Sequence, residues 1–112
     1  MQLTRSHYIN LFHILAIGPA LLYLAQAKPE WMYSALLYSG IGISLYHLSK
    51  VYTMGLEQGW IYALHGLVFA PLLIYIGYTK GQTAIPQGFI LSSIAFAAVG
   101  IHIQSLFRKL NQ

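Results

Sequence analysis

The chain has no cysteine and no aspartate, and its only acidic residues, Glu30 and Glu57, stand against six Lys and Arg in 112 residues. Without cysteine there is no disulfide, no thiolate zinc site, no iron–sulfur cluster and no thiol nucleophile. Without aspartate, and with both glutamates expected between helices, the carboxylate pairs of glycosidases and the Glu-rich sites of di-iron bundles are excluded. Charge of either sign is scarce: 7% of residues are ionised while 57% are hydrophobic. A soluble domain of this length cannot bury so much apolar surface, so the surplus is expected to face lipid.

The few charges mark where. Arg5, Lys28, Glu30, Lys50, Glu57, Lys80, Arg108 and Lys109 separate four long uncharged blocks, Ser6–Ala27, Trp31–Ser49, Gln58–Thr79 and Gly81–Phe107. Each reaches the ~19–20 residues that cross roughly 30 Å of hydrocarbon as a helix. The expected fold is therefore an all-α membrane protein of four transmembrane helices, at about 6–27, 31–52, 58–79 and 86–107. Arg5 before an apolar stretch is reminiscent of a signal sequence, but no small-residue cleavage site lies cleanly before Lys28 and Pro19 interrupts the run, so the first helix is expected in the mature protein. The net charge of +4 is spread over the helix ends, which argues for topology and against a nucleic-acid partner. Arg5, Lys50, Arg108 and Lys109 against Glu57 outweigh Lys28 and Lys80 against Glu30, so the positive-inside rule predicts both termini in the cytoplasm. Trp60, Tyr8, Tyr52 and Phe107 would belt that face, and Trp31, Tyr33 and Tyr78 the other.

Sliding the sequence by 52 positions aligns Tyr8–Lys28 with Trp60–Lys80 and pairs His13 with His65, Pro19 with Pro71, Tyr23 with Tyr75 and Lys28 with Lys80. A shift of 55 pairs His47 with His102. The chain thus reads as two tandem hairpin repeats, residues 1–55 and 56–112, parallel to each other and joined into an up-down-up-down four-helix bundle. Pro29 and Pro86 fit helix starts, whereas Pro19 and Pro71 lie deeper and predict matched kinks.

Four of the five histidines fall inside these blocks, one per helix: His13 and His65 early in helices leaving the cytoplasmic face, His47 and His102 late in helices returning to it. They are expected in one layer, with His7 outside it. Ser6, Asn10 and His13 share a face of the first helix, Gly40, Ser44, His47 and Lys50 of the second, Gln58, Tyr62 and His65 of the third, and Ala95, Ala98, His102, Ser105 and Lys109 of the fourth. Small residues at Ala16, Ala20, Gly40, Ser44, Ala95 and Ala98 either let helices touch or leave room for something flat. Intramembrane ionisable residues point to function.

Imidazole with no carboxylate or thiolate suits iron, copper, zinc or nickel. One reading is b-type haem, with two axial histidines, room made by these small residues, Gly40 and Ser44 among them, and propionates met by Arg5, Lys50, Arg108 or Lys109. Another is a tetra-histidine or paired-histidine transition-metal site, His13, His47, His65 and His102. Its outer support would have to come from carbonyls released by proline, Ser44, Tyr62 and Ser105. A histidine-based proton or ion conductor and a structural scaffold without ligand stand as alternatives. No nucleophile–base pair and no phosphate loop are present, so any redox activity would belong to a bound cofactor, with a redox partner or a second copy of the chain as possible associates.

The strings NLFHILAIGPALLYLA, Asn10 to Ala25, and LYHLSKVY, Leu45 to Tyr52, resemble small polytopic membrane proteins of large DNA viruses of algae and protists. That resemblance marks His13, Gly18, Pro19, Tyr46, His47 and Lys50 and implies a viral or host membrane. It implies no activity, because that group is uncharacterised.

Overall fold

The computed structural model describes residues 3–111, and among them every regular element is helical. The first helix runs Arg5–Ala27, the second Met32–Met54, the third Leu56–Thr79 and the fourth Gln87–Leu110. The first, third and fourth, of 23, 24 and 24 residues, are long and apolar enough to cross a membrane. The second, of 23 residues, carries Ser34, Ser39, Ser44, His47, Ser49 and Lys50 and is not among them. Large apolar side chains remain outside the packing at mid-helix: Leu15 and Tyr38 are each 71% exposed, which is costly in water and costless in lipid.

Helix ends overrun the uncharged blocks, because a helical backbone goes on bonding past the last apolar residue. Lys50, Arg108 and Lys109 are helical, and the latter two sit in the last turn of the fourth helix, where cations meet the negative end of its dipole. Glu57, expected between helices, instead occupies the first turn of the third, where its carboxylate faces the positive end. Only Gly55 separates the second and third helices, at φ 82°, a conformation open to glycine. Lys28 and Lys80, equivalent in the repeat, both end their helices in the left-handed conformation, at φ 48° and 52°. Lys28 N–H bonds back to the Leu24 carbonyl at 3.1 Å, and Lys80 N–H to that of Gly77 at 3.4 Å, with Gly81 N–H reaching Ile76 at 3.0 Å.

The two deep prolines are accommodated by a widened turn. Residues His13–Ile17 and His65–Phe69 form single π-turns, in which Gly18 N–H reaches the His13 carbonyl and Ala70 N–H the His65 carbonyl. Proline cannot donate and its ring collides with the carbonyl four residues back. Inserting one residue into the turn moves that carbonyl aside without abandoning the ladder.

Contacts divide the chain into two compact units, residues 1–28 with 88–112 and residues 29–87. This division differs from that of the sequence repeat: one unit joins the first and fourth helices, the other the second and third. In the first unit, a Cβ added to Gly18 would collide with Val99 and approach the Ala95 carbonyl to 3.9 Å. In the second, a Cβ on Gly40 would lie 2.7 Å from Ile74 and 3.1 Å from the Ala70 carbonyl. Further along, Gly88 meets the Ala25 carbonyl at 3.4 Å, while Gly77 lies against Leu37 N and Tyr33 O, each 2.6 Å from an added Cβ. The helices of each unit therefore touch backbone to backbone.

Gly77→Ala is expected to destabilise the second unit by about 1–3 kcal/mol, since its methyl would meet backbone atoms that no rotamer change can move. Gly42→Ala, whose Cβ meets nothing within 4 Å, is expected to be neutral or stabilising by up to about 1 kcal/mol. Thermal unfolding of both variants in one detergent checks the contrast.

Candidate functional site

Each unit brings two histidines into a stack. In the first, the His13 and His102 rings lie with centroids 4.1 Å apart and planes at 20°. In the second, His47 and His65 lie 4.7 Å apart at 9°. Within each unit the two rings thus lie at one level of the helix pair.

The ring nitrogens are aimed by their hydrogen bonds. Nδ1 of His13 lies 2.8 Å from the Ile9 carbonyl, Nδ1 of His47 2.8 Å from Ile43, and Nδ1 of His65 2.7 Å from Ile61, in each case the carbonyl one turn back. A carbonyl only accepts, so each Nδ1 carries the proton and donates. His102 differs: its Nδ1 lies 2.7 Å from Oδ1 of Asn10, across the unit on the first helix. The Asn10 amide in turn donates to Ser105 Oγ at 3.4 Å, with its Oδ1 facing His102. Three of the four rings thus donate Nδ1–H to a carbonyl of their own helix, and the fourth places Nδ1 on the Asn10 side chain. This is the arrangement of a metal-binding imidazole, with the remote N–H held by an oxygen that fixes orientation and raises basicity.

The acceptors at Nδ1 are ordinary helical carbonyls and the Asn10 side chain. A histidine in mid-helix can always reach the carbonyl one turn back, so this signal was available in helical geometry alone. Ser105 contributes only through Asn10. Ser44 Oγ donates to the Gly66 carbonyl at 3.0 Å, and Gly40 lies against Ile74, so both hold the second and third helices together. Lys50 places its Nζ 5.5 Å from the Tyr46 ring centroid, and Tyr46 meets His47 edge-on at 5.1 Å. Arg108 is exposed. Tyr33, expected in an interfacial belt, accepts from Gln87 Nε2 at 3.3 Å.

His7 provides the internal contrast. It is 8% exposed, and its Nδ1 accepts from Thr4 N–H at 3.0 Å, closing a capping box at the start of the first helix. An accepting Nδ1 puts the proton on Nε2 or leaves the ring to end the helix as a cap, a structural duty unlike that of the other four. Above the stack, the first unit also carries a short polar ladder, Lys109 Nζ donating to Ser6 Oγ and Ser105 joined to Asn10.

Comparison of the chain with family models, curated proteins and solved structures finds no match.

Histidine side-chain ¹⁵N NMR of the metal-free chain in detergent checks the tautomers. Nδ1–H is expected for His13, His47, His65 and His102, and an unprotonated Nδ1 for His7; assignment follows from single His→Gln variants. Four rings averaging between tautomers would overturn the assignment.

Proposed function

We propose that the chain is a four-span integral membrane protein, both termini cytoplasmic, whose histidine pairs bind transition-metal ions within the bilayer. The four helices form an up-down-up-down bundle of two parallel hairpin repeats, and the Arg5, Lys50, Arg108 and Lys109 face lies toward the cytoplasm. His13 with His102 and His47 with His65 supply imidazole ligands for ions of the borderline class, copper, zinc, nickel or iron(II). The observation that carries this reading is the pairing of the four intramembrane histidines, His13 stacked on His102 and His47 on His65, each with its Nδ1 held by an oxygen. Packing alone asks only that one polar atom per ring be satisfied, and by either nitrogen. With a redox-active ion the bundle passes single electrons; with zinc it retains or relays the ion.

A b-type haem is less well supported. Gly40 and Ser44, which would make room for a macrocycle, are engaged in helix contact. Proton conduction is a second reading, favoured by the ladder from Lys109 and Ser6 toward Asn10 and His102.

Purified protein, loaded with Zn²⁺ or Cu⁺ and freed of excess, is expected to retain bound ion by elemental analysis. The His47→Ala/His65→Ala variant should retain less and the quadruple His→Ala variant none. Equal metal in wild type and quadruple variant would sink the proposal. A Soret band shifting on dithionite would replace it with haem, and proton flux in liposomes without bound metal would replace it with conduction.

A further inference from the structure

Two lysines hold a backbone conformation that glycine adopts without strain. Lys28 ends the first helix at φ 48° and ψ 51°, and Lys80 ends the third at φ 52° and ψ 42°. A Cβ in this left-handed region crowds the backbone carbonyl, so the residue that ends a helix in this way is usually glycine, with asparagine next. Among the described residues, Lys28 and Lys80 are the non-glycine residues with positive φ, and they occupy equivalent positions in the repeat. Elsewhere the chain uses glycine for such a turn, at Gly55 and Gly81. A lysine therefore stands twice against a local preference for glycine, which points to a duty of its side chain.

Each of these lysines follows directly on a helix long enough to cross a membrane, Arg5–Ala27 or Leu56–Thr79. Tyr23 and Tyr75, also equivalent in the repeat, precede them by five residues and are 59% and 40% exposed. Exposed tyrosines mark the edge of the hydrocarbon, and five residues of helix rise about 7.5 Å, on the scale of one headgroup layer. Both lysines thus come at the level of lipid phosphates. Lys50 lies over the Tyr46 ring and Lys109 donates to Ser6, whereas Lys28 and Lys80 are exposed. Glu30 is the only acidic residue in the segments that follow the two helices, 28–31 and 80–86, so carboxylates do not match the two ammonium groups. The carbonyls at a helix C-terminus carry partial negative charge and would hold an anionic headgroup away. A lysine at that end reverses the sign of the field.

We propose that Lys28 and Lys80 are docking points for anionic phospholipid, each ammonium meeting the phosphate of a lipid that lies along the end of its helix. This goes beyond the histidine pairs and does not depend on them. The charge is what keeps lysine where glycine would fit with less strain. A compact ammonium on a flexible stem, with three donors, follows a mobile phosphate without demanding one geometry.

The test is the unfolding temperature of purified protein in dodecyl maltoside after addition of phosphatidylglycerol, phosphatidylcholine or inorganic phosphate. Phosphatidylglycerol is expected to raise it further than phosphatidylcholine does, and inorganic phosphate to leave it unchanged, because only a ligand that binds the folded state stabilises it. The Lys28→Asn/Lys80→Asn variant, whose new residues tolerate the left-handed conformation, should lose most of the excess given by phosphatidylglycerol. Each single Asn variant should lose part of it, and Lys28→Arg/Lys80→Arg should keep it. Equal rises with the two lipids in wild type, or the same rise with inorganic phosphate, overturn the proposal. So does an Asn double variant that is destabilised by the same amount with and without phosphatidylglycerol, since the lysines would then serve only the dipoles of their own helices.

Discussion

The approach of two helix backbones at a single glycine is the constraint from which the remaining features follow. Imidazole rings can stack only when the helices that carry them are close enough for short side chains to meet, and a pair of ordinary apolar helices holds its axes roughly 8–10 Å apart. At Gly18 and Gly40 the opposing chain occupies the space a Cβ would need. Those crossings lie one to two turns from the histidines, so they fix the spacing at which His13 meets His102 and His47 meets His65. The glycine is not on the same helix in both units. Gly18 of the first helix faces Ala95 of the fourth, and Gly40 of the second faces Ala70 of the third; in the repeat Gly18 aligns with Ala70 and Ala95 with Gly40. Each crossing carries one glycine and one alanine, and the two copies place them on opposite partners. What is kept between the copies is the summed volume at the crossing.

Proline acts on the same geometry from the other side. A π-turn adds one residue, turning everything beyond it by about 100° relative to an uninterrupted helix of 3.6 residues per turn. Both π-turns begin at the histidine. The polar positions before it, Ser6 and Asn10 in the first helix, keep the face of His13, whereas the apolar positions after it are set by a different phase. Gly18 can then meet Val99 while Asn10 meets His102, two contacts with one partner helix at two levels. The widened turn lets a proline persist in a helix that must contact its neighbour on both sides of the break.

Much of this was legible in the amino-acid sequence, and the limits are physical. Scarce charge and four uncharged blocks are enough to predict four helices and one histidine in each, because apolar length and sparse charge are local properties. The boundaries drifted outward, with Glu57 and Lys50 helical, since charge marks where lipid should end and not where hydrogen bonding does. The prolines signalled a disturbance at the right places, but choosing between a kink and a π-turn depends on the partner helix, which no local pattern contains. Gly40 and Ser44 were ambiguous for the same reason: a small residue invites either a neighbour or a ligand, and Ile74 and the Gly66 carbonyl decide it for the neighbour. Asn10 was visible as part of a polar stripe, yet its bond to His102 spans 92 positions and required the fold.

The histidines themselves show how a hydrogen bond separates residues that composition treats alike. His7 and His13 lie within two turns of one helix, and both are mostly shielded polar rings near its start. Thr4 N–H is one of the donors left over at a helix N-terminus, so the nearest ring meets it with a lone pair at Nδ1. Beyond the first turn all donors are taken by the ladder and what remains toward a side chain is the second lone pair of a carbonyl, so the ring must present a proton. Position along the helix therefore sets what Nδ1 meets: a histidine at the cap accepts from the backbone, and His13, His47 and His65 in mid-helix donate to it, while His102 turns to the Asn10 side chain. The close glycine crossings gather the four mid-helix rings two by two.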